Sequence, residues 1–410
     1  MTDRETYAVV GAGLAGAKTV EALRAEGFDG RLVLLGAEPH RPYERPPLSK
    51  GYLAGTAARE KAFVHPEQWY AEHDVDLRTG TTVTELDPGA SEVVTSSGAR
   101  VAYDRLVLAT GSSPRRLSVP GADLPSVAYL RSIDDSERIQ AAIRPGARIV
   151  LIGGGWIGLE VAAVARQAGA EVTVLEGAEL PLFRVLGREV ATVFAELHRQ
   201  HGVDLRCEVS VTGIEADGPS AATVRLGDGA AIGADLVVVG VGIAPNVSLA
   251  EQAGLTVDNG VLVDASLRTS DPHVFAVGDV ANALHPVLGR HLRVEHWANA
   301  LHQPAVAAKA MLGGDAMYDR LPYFFTDQYD AGMEYFGYAE PDEVEQVVVR
   351  GVPDKGTFAA FWIGGGHVLA GMHVNQWDDA DAIKAIVRNR AAADAALGDV
   401  DTPLDQLAGG

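Results

Sequence analysis

The chain has 410 residues, 47% hydrophobic and 22% charged, with a formal net charge of −21 at pH 7. That length exceeds one ordinary core and implies two or three domains of a globular protein, and the negative field disfavours non-specific nucleic-acid binding. No run reaches the roughly 18 uninterrupted apolar residues of a membrane span, and the single cysteine, Cys207, excludes an internal disulfide or a thiolate zinc cluster.

The N-terminus, "MTDRET", is charged and leads through "YAVV" to glycine, which reads as the opening of a strand rather than a signal peptide. A reducing cytoplasm suits the lone thiol. The apolar runs "YAVVGAG" and "RLVLLG" bracket a helix and have the look of parallel strands buried on both faces. A proline-rich loop, "AEPHRPYERPPLSKGYLAG", and a β-rich stretch (81–108) follow. At 146–176 the pattern restarts with "ARIVLIGGG", a helix and "AEVTVLE", closing at "ADLVVVGVGIAPN". Next, "GVLVDASLRTSDPHVFAVGDVA" reads as strand, loop, strand and the start of a helix, and a helical segment covers 297–313. The remainder alternates aromatic and apolar residues and ends in a helix, 378–397, as a small α+β domain would. Residues 321–410 also hold 15 acidic and 5 basic side chains.

The two glycine turns lie about 140 residues apart, and each opens its own strand–helix–strand unit. The fold class expected is therefore α/β: two Rossmann-like dinucleotide-binding domains plus the small α+β domain. The first domain is discontinuous (1–113 and 243–321), the second (114–242) is inserted into it, and the tail is 322–410. A lone GxGxxG is weak, but here strand, helix and downstream acid are present twice. Gly11 and Gly153 allow the tight turn, Gly13 and Gly155 let a pyrophosphate approach, and Gly16 and Gly158 let the helix pack on its strand. Helix amides and dipole then hold the anion. Glu176, ending "AEVTVLE", can accept both ribose hydroxyls and would repel a 2′-phosphate, so NADH is favoured over NADPH. In the first unit Glu38 arrives slightly late. Two nucleotides in one chain imply a hydride passed from nicotinamide to flavin, and "FAVGDVA" supports the flavin by placing Asp279 at its ribityl chain.

The motifs "GAGLAG" (11–16), "RPYERPPLSKGYLAG" (41–55), "LVLATGSSPR" (106–115), "GGGWIGLE" (153–160), "VGIAPN" (241–246), "FAVGDVA" (275–281), "EHWANALHQ" (295–303) and "FFTDQYD" (324–330) span nearly the whole chain. In that order the sequence resembles the FAD-dependent ferredoxin reductases of oxygenase systems, of the putidaredoxin-reductase and biphenyl-dioxygenase-reductase type. The resemblance implies a glutathione-reductase-like fold. It implies FAD contacts at Gly11, Gly13, Ala15, Gly16, Glu38, Arg45, Lys50, Val83, Thr110, Gly111, Arg131, Gly278, Asp279, Glu295, His296 and Trp297. NAD contacts are implied at Gly153, Gly155, Trp156, Ile157, Gly158, Glu160, Glu176 and Gly242. Lys50 would lie at flavin N5, where its ammonium favours the charge of the reduced ring. Glu160 would lie by the nicotinamide and pair with Lys50, and Trp156 would gate the flavin. Two positions depart from the family pattern: Ala37 stands before Glu38 where an acid is usual, and Phe325 replaces a tryptophan.

Disulfide reductases of this fold need a cysteine pair in the first helix, and related peroxidases and oxidases need one near position 50. Here Ser49 and Lys50 stand there, so electrons must leave from the flavin itself. The expected acceptor is a small acidic [2Fe–2S] ferredoxin serving a P450 or Rieske oxygenase. Arg290, His291 and Arg293, with Arg41 and Arg45, are expected to cluster on one face for its docking. No metal site, nucleic acid or membrane is expected, and a homodimer stays open. A rubredoxin reductase or NADH oxidase on the same scaffold is the main alternative, and an apoptosis-inducing-factor-like binding flavoprotein is a further one.

Overall fold

Four largely apolar runs and one mixed segment, Val75–Arg78, build the first sheet. In the computed structural model, which describes residues 4–218 and 221–408, Thr6–Val10 is its central strand. It pairs in parallel with Arg31–Leu35 on one side and Arg105–Leu108 on the other, with Val75–Arg78 and Val274–Ala276 outermost. Ala8, Val9, Leu32, Val33, Leu34, Leu106 and Val107 are fully buried, as the uninterrupted apolar runs require of strands covered on both faces. The helix Leu14–Ala25 returns over this sheet, burying Ala17, Val20 and Leu23, and Trp297–Met311 packs along it. These segments belong to one unit: Met1–Arg45, Ala58–Ser113 and Ile243–Arg320.

The other unit, Pro46–Ala57, Pro114–Gly242 and Leu321–Gly410, repeats the theme. Arg148–Ile152 pairs in parallel with Glu171–Leu175 and Leu236–Val239, flanked by Asp204–Arg206 and Val127–Tyr129. The helices Trp156–Gln167 and Phe183–Gln200 follow the strands Arg148–Ile152 and Glu171–Leu175. Five antiparallel strands form a further sheet in the order Tyr323–Gln328, Ala331–Gly337, His367–Val374, Thr357–Gly364, Gln346–Val352. The helix Ala380–Arg388 packs on it through Ile383, Ile386 and Val387.

The two glycine turns share one backbone solution. The Gly11 amide donates to Leu35 O and the Gly153 amide to Leu175 O, each at 2.8 Å. Gly11 (φ +113°) and Gly153 (φ +102°) lie where a side chain is strained, and a Cβ there would sit 2.1 Å from Ala109 O and 2.3 Å from Gly240 O. Gly16 is needed for packing instead: its Cβ would fall 1.9 Å from Gly11 O.

Three segments differ from the sequence expectation. After Val274–Ala276 the chain makes only a 3₁₀ turn, Gly278–Val280, and continues as the strand Ala281–His285 instead of starting a helix. The last long helix ends at Arg388, well short of 397, because Arg390 takes a left-handed conformation (φ +48°) that breaks it. The proline loop 46–57, assigned by sequence to the first domain, groups with the second unit. The reason is visible in its anchors. On the helix Ile133–Ala142, Ser136 Oγ donates to Leu48 O (2.8 Å), Gln140 Nε2 donates to Tyr52 O (2.7 Å), and Glu137 accepts from Tyr52 OH (2.5 Å).

Gly16→Ala is expected to cost about 1–3 kcal/mol of overpacking and to lower Tm by several degrees in calorimetry. Gly13→Ala, whose methyl would meet nothing within 4 Å, should leave the Tm of the flavin-free protein within about one degree.

Candidate functional site

The first unit carries a cradle for a dinucleotide. Its helix starts at Gly13 with no side-chain cap and no acid in the first turn, so the positive helix end faces the open space beside Gly13. Gly278 lies against this start: a Cβ on it would stand 3.1 Å from Ala15 Cβ. Its amide donates to Gln303 Oε1 at 2.7 Å, which fixes the turn presenting Asp279. Asp279 acts electrostatically on Arg45, whose Nη2 donates to Glu38 Oε1 at 3.2 Å. Tyr43 OH donates to the other Glu38 oxygen. Thr110 and Asn246 exchange hydrogen bonds at 2.8 Å, and Gly111 O accepts from the Asn246 amide, closing the turn after the strand Arg105–Leu108. Trp297 Nε1 donates to Glu44 Oε2 at 3.1 Å, His296 stands at the N-cap of its helix, and Val83 is half-buried at a strand start.

The second unit carries the other cradle, again with no side-chain cap at its Gly155 helix start. Glu176, just past the strand Glu171–Leu175, accepts from the Gly154 amide (2.6 Å) and the Ala178 amide (2.7 Å), which aims its carboxylate at the glycine turn. Its surroundings are acidic. Burial first, and then Glu176, Glu208 and Glu179 against an opposing Arg199, raise the Cys207 pKa and disfavour its thiolate. Ile157 is exposed beside the turn. Gly242 (φ +99°) accepts from the Arg115 amide at 2.9 Å. Arg131 lines a small cavity with Arg116, Arg138 and Asp135.

In the same unit a buried carboxylate gathers three donors. Glu160, one turn along the helix from Trp156, has a side chain only 6% exposed. Its Oε2 accepts from Ser49 Oγ (2.5 Å), and its Oε1 accepts from Lys50 Nζ (2.5 Å) and Thr326 Oγ1 (2.6 Å). Lys50 Nζ also stands 5.3 Å from the Phe325 ring centre. Three periodicities meet here. Trp156 and Glu160 are four apart on one helix, Phe194 and His198 are four apart on the next, and Phe324, Thr326 and Gln328 alternate along the strand. Trp156 touches Phe194 and Phe324, while Gln328 touches Thr326 and His198. An ion pair this deeply buried survives only when its remaining lone pairs are satisfied, and here they are.

Several residues stand otherwise than expected. Trp156 is half-buried, meeting Phe194 edge-on and Phe324 at a tilt (ring centres 5.8 and 5.0 Å), so within its own unit it stands against two other rings. Arg293 does not present a basic surface: its side chain is 8% exposed, bound to Glu295 and Asn259, and donates to Asp279 O. That pairing gives Arg293 and Glu295 a structural task behind the Asp279 turn. Arg41 is likewise engaged by Glu60 and the His65 carbonyl and stacked on Phe63. His291 is exposed and Arg290 half-buried, both on the strand Arg290–Leu292. Sequence reasoning missed Ser49, Tyr43, Thr326, Gln328 and His198. Only the alternation inside "FFTDQYD" could have signalled Thr326 and Gln328.

Residues 5–304 match the pyridine nucleotide-disulphide oxidoreductase family, and residues 323–408 match the reductase C-terminal domain. The chain belongs to that family: it is an oxidoreductase that uses FAD and NAD(P)H. It is 41% identical over 392 residues to the ferredoxin–NAD(+) reductase component of the anthranilate 1,2-dioxygenase system of Burkholderia cepacia, covering 95% of this chain and 96% of the relative. It is 37% identical over 413 residues to putidaredoxin reductase of Pseudomonas putida, covering 99% and 97%. A crystal structure of a covalent putidaredoxin reductase–putidaredoxin complex superposes with a TM-score of 0.94 at 37% identity, covering 98% of each chain.

His198 supplies a pH test of the cluster. Burial pushes its pKa down to about 4, so the folded protein resists protonating it, while the unfolded chain protonates near its ordinary 6.5. The unfolded state therefore binds the extra proton between those values, and stability falls as pH drops from about 6.5 to 4, by about 3 kcal/mol in all. His198→Gln should flatten that part of the Tm-against-pH curve relative to the parent.

Proposed function

We propose that the protein is an NADH-dependent ferredoxin reductase whose acceptor is a [2Fe–2S] ferredoxin of an oxygenase system, either a P450 or a Rieske enzyme. Supporting this reading are the names of its relatives and the buried Lys50–Glu160 pair, which carries it. With Cys207 as the only cysteine, no dithiol can accept electrons, although the family is named for disulfide chemistry. FAD, when bound, supplies a two-electron acceptor that can release electrons singly.

The chain's residues bind, orient and supply charge. Gly11, Gly13 and Gly16 shape the first cradle, with the uncapped helix end for the pyrophosphate, Glu38 for a ribose and Asp279 for the ribityl chain. Gly153, Gly155 and Gly158 do the same for NADH. Glu176 takes the two ribose hydroxyls, and its acidic neighbours Glu179 and Glu208 disfavour a third phosphate. Lys50 is the residue assigned to flavin N5, where a fixed ammonium favours the negative charge that accumulates on reduction. Glu160 holds that ammonium in place. No proton-transfer dyad is required, so alignment and electrostatics carry the catalysis.

Cytochrome c reduction by NADH should depend on an added [2Fe–2S] ferredoxin. Equal turnover with rubredoxin, or with oxygen alone, would instead favour the alternatives on this scaffold. NADPH should be at least about tenfold poorer in kcat/KM. Lys50→Gln combined with Glu160→Gln keeps the site neutral and avoids stranding a buried charge. It should bind FAD yet slow reduction of the flavin by NADH at least about tenfold in anaerobic stopped flow.

A further inference from the structure

Beyond Glu160 the hydrogen bonds continue. Thr326 Oγ1, which donates to Glu160 Oε1, accepts from Gln328 Nε2 at 3.2 Å. Gln328 Oε1 lies 2.9 Å from His198 Nε2, and His198 Nδ1 lies 3.3 Å from Tyr329 OH. Thr326, Gln328 and His198 are all at most 1% exposed, so water cannot substitute for a missing partner. Tyr329 stacks on the exposed ring of His201, with ring centres 3.6 Å apart.

The sense of each link is forced by its neighbour. With the Gln328 amide donating to Thr326, the single Thr326 hydroxyl hydrogen is left for Glu160. Gln328 then turns its carbonyl oxygen to His198, which must carry its proton on Nε2. A neutral ring has a bare Nδ1, and this accepts from Tyr329 OH. Every donor thus points toward one carboxylate oxygen, the same Oε1 that Lys50 uses. Reversing any link leaves two donors or two acceptors facing each other in a dry interior, which costs more than the loss of an ordinary hydrogen bond.

We infer that Thr326, Gln328 and His198 are positioning residues for the reductase reaction: their one-way hydrogen-bond chain fixes the Glu160 oxygen that holds Lys50. The inference rests on the reading of Lys50 and Glu160 as the pair that serves the flavin. A purely structural role would need good packing at these positions but no direction. The direction is what matters, because an acceptor facing Glu160 Oε1 would push it away from Lys50.

Three variants of the FAD-loaded enzyme test this. Thr326→Val keeps the shape and removes the hydroxyl; Thr326→Ser restores it; Gln328→Glu replaces the donor with an acceptor and turns the Thr326 hydroxyl away from Glu160. In anaerobic stopped flow, Thr326→Val and Gln328→Glu should slow flavin reduction at saturating NADH about tenfold, with the NADH dissociation constant within about threefold and Thr326→Ser within about twofold of the parent. Placed on Glu160→Gln, Thr326→Val should add nothing. Independently of turnover, nitrogen-15 NMR of His198 should show the neutral tautomer with Nε2 protonated at pH 7. A Nδ1-protonated or doubly protonated ring, an unchanged rate in Thr326→Val, or its full effect persisting on Glu160→Gln would each overturn the inference. A normal rate in Glu160→Gln alone would instead remove the underlying reading, and the inference with it.

Discussion

A carboxylate buried in protein keeps its charge only if the surroundings replace the water it has lost, and Glu160 meets that demand with one cation and two hydroxyls. These donors come from chain segments far apart in sequence. Ser49 and Lys50 sit on a loop strapped to the helix Ile133–Ala142 by Ser136, Glu137 and Gln140, and Thr326 comes from the C-terminal sheet. The second unit therefore cannot be assembled from its nucleotide-binding part alone. Leaving Glu160 with its charge but without one partner would cost several kcal/mol, enough to require that loop, helix and strand fold together.

The duplicated turns show how one backbone solution tolerates two ways of placing an acid. Next to the first turn stands Gly36, where a Cβ would lie 2.5 Å from the Ala12 methyl. In the second, glycine stands in the turn where the first has Ala12, and Glu176 stands at the strand end where the first has Gly36. Gly154 sits in the turn, where its own Cβ would crowd Pro181 and Glu176 at about 3 Å, and the strand end is free to carry Glu176. The late arrival of Glu38 follows from this difference. Ala12 blocks a side chain at position 36, so the acid comes two residues on and is steadied by Tyr43 and Arg45.

The central strands of the two parallel sheets and both glycine turns were legible in the sequence because backbone rules govern them: buried parallel strands are uniformly apolar, and tight turns at strand ends need glycine. Outer strands such as Val75–Arg78 and Asp204–Arg206 mix charge with apolar residues and were not. Lys50 and Glu160 were legible only through motif resemblance, since nothing local in "PPLSK" or "GLE" indicates that the two side chains meet. Of the chain through Thr326, Gln328 and His198, only the strand alternation that places Thr326 and Gln328 on one face left a trace in the sequence. The chain itself arises from the crossing of two helical periods with a strand period, and each residue by itself reads as an ordinary polar side chain. Arg293 failed for the opposite reason. Its charge suggested a surface, whereas Glu295, two residues on, and the distant Asn259 draw it inward, and such pairing leaves no trace in composition.

Phe325 borders the Lys50 ammonium from the C-terminal sheet. A tryptophan at that position would hold the Lys50 ammonium by a stronger cation–π attraction than phenylalanine can, because the indole face is the better quadrupole. With the ammonium 5.3 Å from the Phe325 ring centre, that attraction is the lesser of its two restraints, and the ion pair to Glu160 Oε1 is the greater. Lys50 is thus held less by the ring of Phe325 than by the carboxylate that the next residue, Thr326, contacts. A cation positioned mainly by a carboxylate is only as well placed as the carboxylate itself. Glu160 has no backbone amide donating to its side chain in the structure's described hydrogen bonds, so its orientation depends on side chains alone: Ser49 on one oxygen, and on the other the hydroxyl that Gln328 and His198 keep turned toward it.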